Sequence, residues 1–167
     1  MDEFFLKQEQ NRKEFARLRA KAEEYNRQIV DGEFKLDIEW ELDISRIDLA
    51  DLRTSLNDEL RDRLDKDFLI RLCDLDKLLV SYCENPDKTF PTNSIWGDRQ
   101  PADMARLVEF VESGNKLYPP IIRPLDASTI TILDGHHRIA LSRFLRMSEI
   151  PILLEITLSD LIPEILV

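Results

Sequence analysis

The sequence predicts an α+β fold, with a small mixed sheet and its helices in the C-terminal part and a helical extension before it. Three observations carry that expectation. From Pro101 onward the apolar period switches between helix and strand in the order helix, strand, turn, strand, helix, strand. From Glu3 to Ile29 there is no Gly or Pro, and apolar residues recur at helical spacing. Hydrophobic residues make up 43% of the 167, enough to build the core of one ordinary domain with an extension but not of two large ones.

The extension opens with an amphipathic helix. Phe15, Leu18, Ala22, Tyr25 and Ile29 fall at alternating steps of three and four and form a seam opposite a charged face. Gln8 and Asn11 occupy the earlier seam positions, so its first half is polar. Such a seam packs on its own domain or pairs with another chain, so a homodimer or a protein partner through this helix is a second expected use. Asp31-Gly32 ends the helix. The period then becomes two. Phe34, Leu36, Ile38, Trp40, Leu42 and Ile44 alternate with Lys35, Asp37, Glu39, Glu41 and Asp43, which predicts a half-buried strand over Glu33 to Ser45 with an acidic outer face. Helical spacing returns in Leu49, Leu52, Leu56, Leu60 and Leu64, and again in Leu69, Leu72, Leu75, Leu79 and Tyr82, up to the stop at Asn85-Pro86-Asp87.

Residues Glu84 to Arg99 read as a connecting loop. Pro101 opens a helix whose stripe is Met104, Leu107, Val108 and Val111, with Gly114 as its stop. Ile121 to Arg123 is a short strand, Asp126-Ala127-Ser128 a hairpin turn, and Thr129 to Leu133 the β-branched return strand. A helix follows from His137 to Met147, and Pro151 opens a last strand over Ile152 to Ile156. The expected division is therefore residues 1–90, a helical extension with one long strand, and residues 91–167, the α+β domain.

Charge limits the partners. With 23 Lys and Arg against 33 Asp and Glu, the net charge of −10 disfavours non-specific DNA binding, which needs a basic surface. A small anion pocket remains compatible with it, because a few fixed donors hold one phosphate locally. Cys73 and Cys83 match no metal cluster or disulfide framework, and Cys73 reads as a small buried apolar residue. The start Met1-Asp2-Glu3-Phe4 lacks the pattern of a signal peptide, and no apolar run has the length of a bilayer span, so a cytoplasmic protein with no membrane partner is expected.

The chemistry gathers at Asp134-Gly135-His136-His137-Arg138, where a strand gives way to a helix. The first amides of a helix lack internal partners, and with the aligned peptide dipoles they form an anion site. Gly135 admits close approach of a phosphate to the backbone, and Arg138 brings a fork of donors matched to phosphate oxygens. His136 and His137 are the two histidines of the chain, and adjacency at a helix start points them in different directions. Three roles stand open for Asp134: helix cap, orienter of a histidine, or ligand of a metal that accompanies a nucleotide. Two adjacent histidines without a third His or a Cys do not suit zinc.

The run from Leu107 to Ile156 resembles the ParB/sulfiredoxin superfamily. The likeness rests on the helix ending at Gly114, the Pro-Pro-Ile-Ile entry at Pro119 to Ile122, the hairpin into Ile-Leu-Asp-Gly-His-His-Arg at Ile132 to Arg138, and Glu149-Ile150-Pro151-Ile152 before the last strand. It implies a ParB/sulfiredoxin-like small mixed sheet. In ParB partition proteins the comparable turn is Gly-Glu-Arg-Arg and helps to bind cytidine triphosphate; here His136 and His137 replace the Glu and the first Arg. In sulfiredoxin it is Gly-Cys-His-Arg with a catalytic cysteine, where this chain has His136, so only the phosphate-contacting roles carry over, onto His137 and Arg138. Free serine kinases of the superfamily carry Asp-Gly-His-His-Arg itself. That resemblance implies nucleotide binding through Gly135, His136, His137 and Arg138, catalytic roles for Asp134 and His136, and a base from elsewhere in the chain, for which Asp98 is the candidate. The implied cofactor is ATP, ADP or CTP with Mg2+, and the implied activity is phosphoryl transfer to a small hydroxyl substrate or nucleotide hydrolysis. The alternative is a non-catalytic nucleotide-sensing or protein-interaction module on the same scaffold.

Overall fold

A computed structural model describes residues 2–47, 68–92, 94–95 and 100–161. The chain divides into two compact units, Met1–Asp37 with Asp98–Asn115, and Ile38–Gly97 with Lys116–Val167. This departs from the expected boundary at residue 90, because sequence-distant segments complete each unit.

In the first unit, α1 (Asp2–Val30) packs along α4 (Pro101–Glu112). Leu18, Ala22 and Tyr25 of the α1 seam are buried, whereas Phe15 at its N-terminal side remains 41% exposed. Arg17 joins the helices through both carboxylate oxygens of Glu109, at 2.6 and 2.8 Å. The Tyr25 hydroxyl donates to Glu112, and burial together with that carboxylate pushes its pKa far up. Both helices stop at left-handed glycines, Gly32 with φ 71° and Gly114 with φ 80°, as their positions predicted.

The second unit carries a four-stranded mixed sheet: β1 (Phe68–Asp74), β2 (Ile121–Pro124), β3 (Ile130–Asp134) and β4 (Glu149–Glu155), in the order β1-β4-β2-β3. β4 runs antiparallel to β1 over its whole length and parallel to β2 at Leu153 and Leu154. Ile150, Ile152, Leu153 and Leu154 are fully buried, as an interior strand requires. Pro151 is tolerated there for a definable reason. The Leu153 N–H donates to Pro120 O on the β2 side, so residue 151, two earlier, faces the same side ahead of the first β2 pairing.

α2 (Leu75–Ser81), the single-turn α3 (Pro86–Thr89) and α5 (His136–Phe144) complete the described helices, with 3-10 turns at Ile44–Arg46 and Ile156–Leu161. The principal core joins Leu75, Leu78, Leu79, Tyr82 and Phe90 to Ile122, Ile130 and Ile132 of the hairpin, Ile139 of α5 and Ile150, Ile152 and Leu154 of β4. Cys73 is buried within it, and burial pushes its thiol up to about 12, whereas Cys83 is exposed.

Two sequence expectations are corrected. Glu33 to Ser45 is not a strand: the segment is largely without regular structure, forms one isolated bridge between Trp40 and Leu117, and then enters the 3-10 turn. Conversely, Leu69 and Leu72 lie in β1, and the helix containing Leu75 and Leu79 starts only after Asp74, whose side chain accepts from Lys77 N as its cap. The extension thus supplies an edge strand to the sheet. The helical run predicted at Leu49 to Leu64, together with Asp98 and Arg99, lies outside the described residues.

Candidate functional site

β3 delivers the chain to the turn through an irregularity in the hairpin. Ile121 pairs with Asp134 and Ile122 with Ile132, so Leu133 is the extra residue. Such a bulge re-aims the end of its strand. Gly135 then takes φ 99°, ψ 18° and forms the N-cap of α5, with no side-chain cap hydrogen bond. Its carbonyl accepts from Ile139 N at 3.0 Å, which closes the first helical turn. The N-cap residue thus offers no side chain to the leading amides of α5, and the helix dipole adds positive potential there. Glycine is required twice over. Its φ suits no β-carbon, and a β-carbon placed there would lie 2.5 Å from Cβ and 2.8 Å from Cα of Pro120.

Arg138 behaves differently from the phosphate fork that the sequence suggested. Its guanidinium donates to the Asp134 carboxylate one helical turn back, to Tyr118 O at 2.5 Å and to Pro119 O at 3.2 Å. The side chain is only 12% exposed and that of Asp134 21%. Burial draws the Arg138 pKa down from its usual value while Asp134 opposes the change. The pair fastens the Tyr118–Pro120 approach to β2 against the turn. Of the roles open to Asp134, the structure shows a different one: its carboxylate holds Arg138.

His136 turns toward the core. Its ring lies 6.1 Å from Phe90, nearly parallel at 22°, and 6.3 Å from Tyr82, edge-on at 72°. Its Nε2 is 3.4 Å from the Tyr82 hydroxyl. Phe90 is fully buried and Tyr82 nearly so, so the imidazole has an aromatic wall behind it. His137, the next residue of α5, is half-buried. The structure thus brings Asp134, Gly135, His136, His137 and Arg138 together at one helix start, and the sixth expected contributor, Asp98, is outside the described residues.

Sequence reasoning missed Tyr82 and Phe90. In the sequence Tyr82 reads only as the end of a helical stripe, and Phe90 as part of a loop. The available signal was an aromatic residue on each side of Asn85-Pro86, a cap-and-proline pair that opens a short helix. Among the described residues no three His, Cys, Asp or Glu side chains form a metal-holding group, and no helix is long and apolar enough to cross a membrane. No protein-family model matches the chain, nor does any curated protein or solved structure.

Proposed function

We propose that the turn from Gly135 to Arg138 binds the phosphates of a nucleotide, ATP, ADP or CTP, in a ParB/sulfiredoxin-like domain, for transfer to a small hydroxyl substrate or for hydrolysis. The observation that carries this reading is the start of α5 at a left-handed glycine, where the N-cap residue has no side chain to bond the first turn and the helix dipole favours an anion. The likeness of Asp134 to Arg138 to the phosphate-binding turns of that superfamily supports it.

Within this reading the roles divide. The amides of His136, His137 and Arg138 receive the phosphate oxygens, and His137 adds a side-chain donor. Arg138 braces the turn from behind and contributes positive charge at short range, partly neutralised by Asp134. The residues of the turn do not fit a protein cage for Mg2+, because the Asp134 carboxylate is held by Arg138. The ion would arrive on the phosphates and water, which is its usual manner with nucleotides, and would neutralise charge on the phosphates.

Calorimetric titration of the intact chain with MgATP, MgADP and MgCTP tests the proposal. Saturable heat is expected with at least one nucleotide, and His137→Ala is expected to weaken it about tenfold, the effect of one charge-assisted contact. Absence of heat with all three, or equal heats from wild type and His137→Ala, would count against it.

A sensing role without turnover is favoured by one observation. The Asp134 carboxylate, at the residue before the helix cap, is engaged by Arg138 and so is poorly placed to act as a base. Under that alternative, nucleotide is recovered unchanged after incubation with candidate hydroxyl compounds; steady product formation would eliminate it.

A further inference from the structure

We infer that Arg143 is a positioning residue for His136, acting through the loop that carries Phe90; this rests on the reading of the turn given above. Arg143 lies further along α5, on the same helix that His136 begins. Its guanidinium donates to the carbonyl of Phe90, to Pro86 O at 3.0 Å, and to the Asp87 carboxylate at 2.8 Å. The side chain is 17% exposed, so most of it is withdrawn from water to make these bonds.

The loop needs such a tether. α3 is a four-residue helix, far too short to hold itself together. Asn85 caps its start, accepting from Asp87 N at 3.0 Å and Lys88 N at 3.2 Å, and Phe90 N closes its end on Pro86 O at 2.7 Å. The Phe90 carbonyl lies beyond that last turn, where a cation is favoured by the helix dipole and by the orphan acceptors. Arg143 supplies the cation. What it fixes is the backbone of Phe90, whose buried ring lies nearly parallel to the His136 imidazole and 5.5 Å from Tyr82.

Arg138 and Arg143 therefore do the same thing for two different segments. Arg138 gathers two carbonyls of the Tyr118–Pro120 segment and the Asp134 carboxylate; Arg143 gathers two carbonyls of the Pro86–Phe90 segment and the Asp87 carboxylate. The first presses Pro120 on Gly135, and the second holds the aromatic wall behind His136. A planar fork bonding to several acceptors at once suits this task better than a point charge does.

Histidine-selective NMR on the intact chain tests the inference, because His136 and His137 are the two histidines and loss of a signal in His136→Gln or His137→Gln assigns each. In Arg143→Ala the ring signals of His136 are expected to move by several line widths as the ring current of Phe90 changes, with those of His137 moving much less. Phe90→Leu is expected to displace His136 in the same sense, and Arg143→Lys to restore part of the wild-type position. Asp87→Ala removes one leg of the tether while keeping the carbonyl bonds, so a smaller displacement in the same direction is expected, and this variant with Arg143→Lys carries the test if Arg143→Ala does not fold. Unmoved His136 signals in the folded variants, or equal movement of both histidines, would overturn the inference. Titration with MgATP adds the functional arm. Folded Arg143→Ala is expected to bind several-fold more weakly, and unchanged affinity despite displaced His136 signals would refute positioning. If wild type gives no heat with any nucleotide, the phosphate reading fails while the NMR result still decides whether Arg143 orients the ring.

Discussion

Arg138 and Gly135 decide whether the turn exists at all. Arg138→Ala leaves the Asp134 carboxylate and the carbonyls of Tyr118 and Pro119 without their donor in a largely buried place. Breaking one side of such a pair costs about 3 kcal/mol or more. The urea midpoint is expected to fall by a corresponding amount with the slope unchanged, and a midpoint within error of wild type would refute the latch. Gly135→Ala combines a positive φ with a β-carbon against Pro120, whereas Gly114→Ala has a positive φ and open space around it. The second is expected to cost about 1 kcal/mol and the first at least about twice that, measured by the same unfolding titration. Equal losses would show that contact with Pro120 is immaterial. At this scale the sequence is informative about place and silent about the pairing of Arg138. The Asp-Gly-His-His-Arg string located the strand-to-helix reversal, but the pattern of a phosphate fork could not reveal that Arg138 meets Asp134 one turn away. That pairing depends on the approach of Pro119 and Pro120 from a segment distant in sequence.

The elements show where periodicity suffices and where pairing overrides it. α1, α4, the hairpin and β4 follow from their apolar spacing and their Gly and Pro stops, because each signal is local. β1 was read as helix since Leu69, Leu72, Leu75 and Leu79 step by three and four, yet Leu72 is 44% exposed and the segment through Asp74 pairs with β4 residue by residue. Tertiary pairing settled a short ambiguous run. In Glu33 to Trp40 the period of two is genuine: Phe34, Leu36, Ile38 and Trp40 are half-buried while the residues between them are exposed. Alternation reports an extended chain with two faces, and a strand additionally needs a neighbour to bond. The α1–α4 packing offers a pH test. Arg17 holds the Glu109 carboxyl below its usual range, chiefly by hydrogen bonding. The unfolded chain therefore binds that proton first as pH falls, so the contribution is complete above the unfolded value and disappears as pH drops through the lower folded value. Since Arg17 is half-exposed, Glu109→Gln is expected to lose less than about 1 kcal/mol at neutral pH, and the difference from wild type should shrink toward acid. A gap that widens on acidification would contradict the assignment.

For the molecule as a whole, the chain carries a net charge of −10, and the proposed anion site must work within that field. That field repels free nucleotide and is screened by salt, while the fixed amides act at contact distance. Affinity is accordingly expected to be higher for MgATP than for ATP without metal, and affinity for the metal-free form should rise when salt goes from low to physiological levels. Calorimetry at matched pH measures both, and a fall with salt would indicate that a basic surface, not the turn, does the binding. The same field is expected to prevent retention of duplex DNA at physiological salt. The central claim is that the amides at the start of α5 receive an oxyanion. Amide-resolved NMR during titration with MgADP tests it most directly. The account expects the largest shifts at the His136, His137 and Arg138 N–H signals, saturating together. Saturable binding that leaves those three signals in place while others move would contradict it.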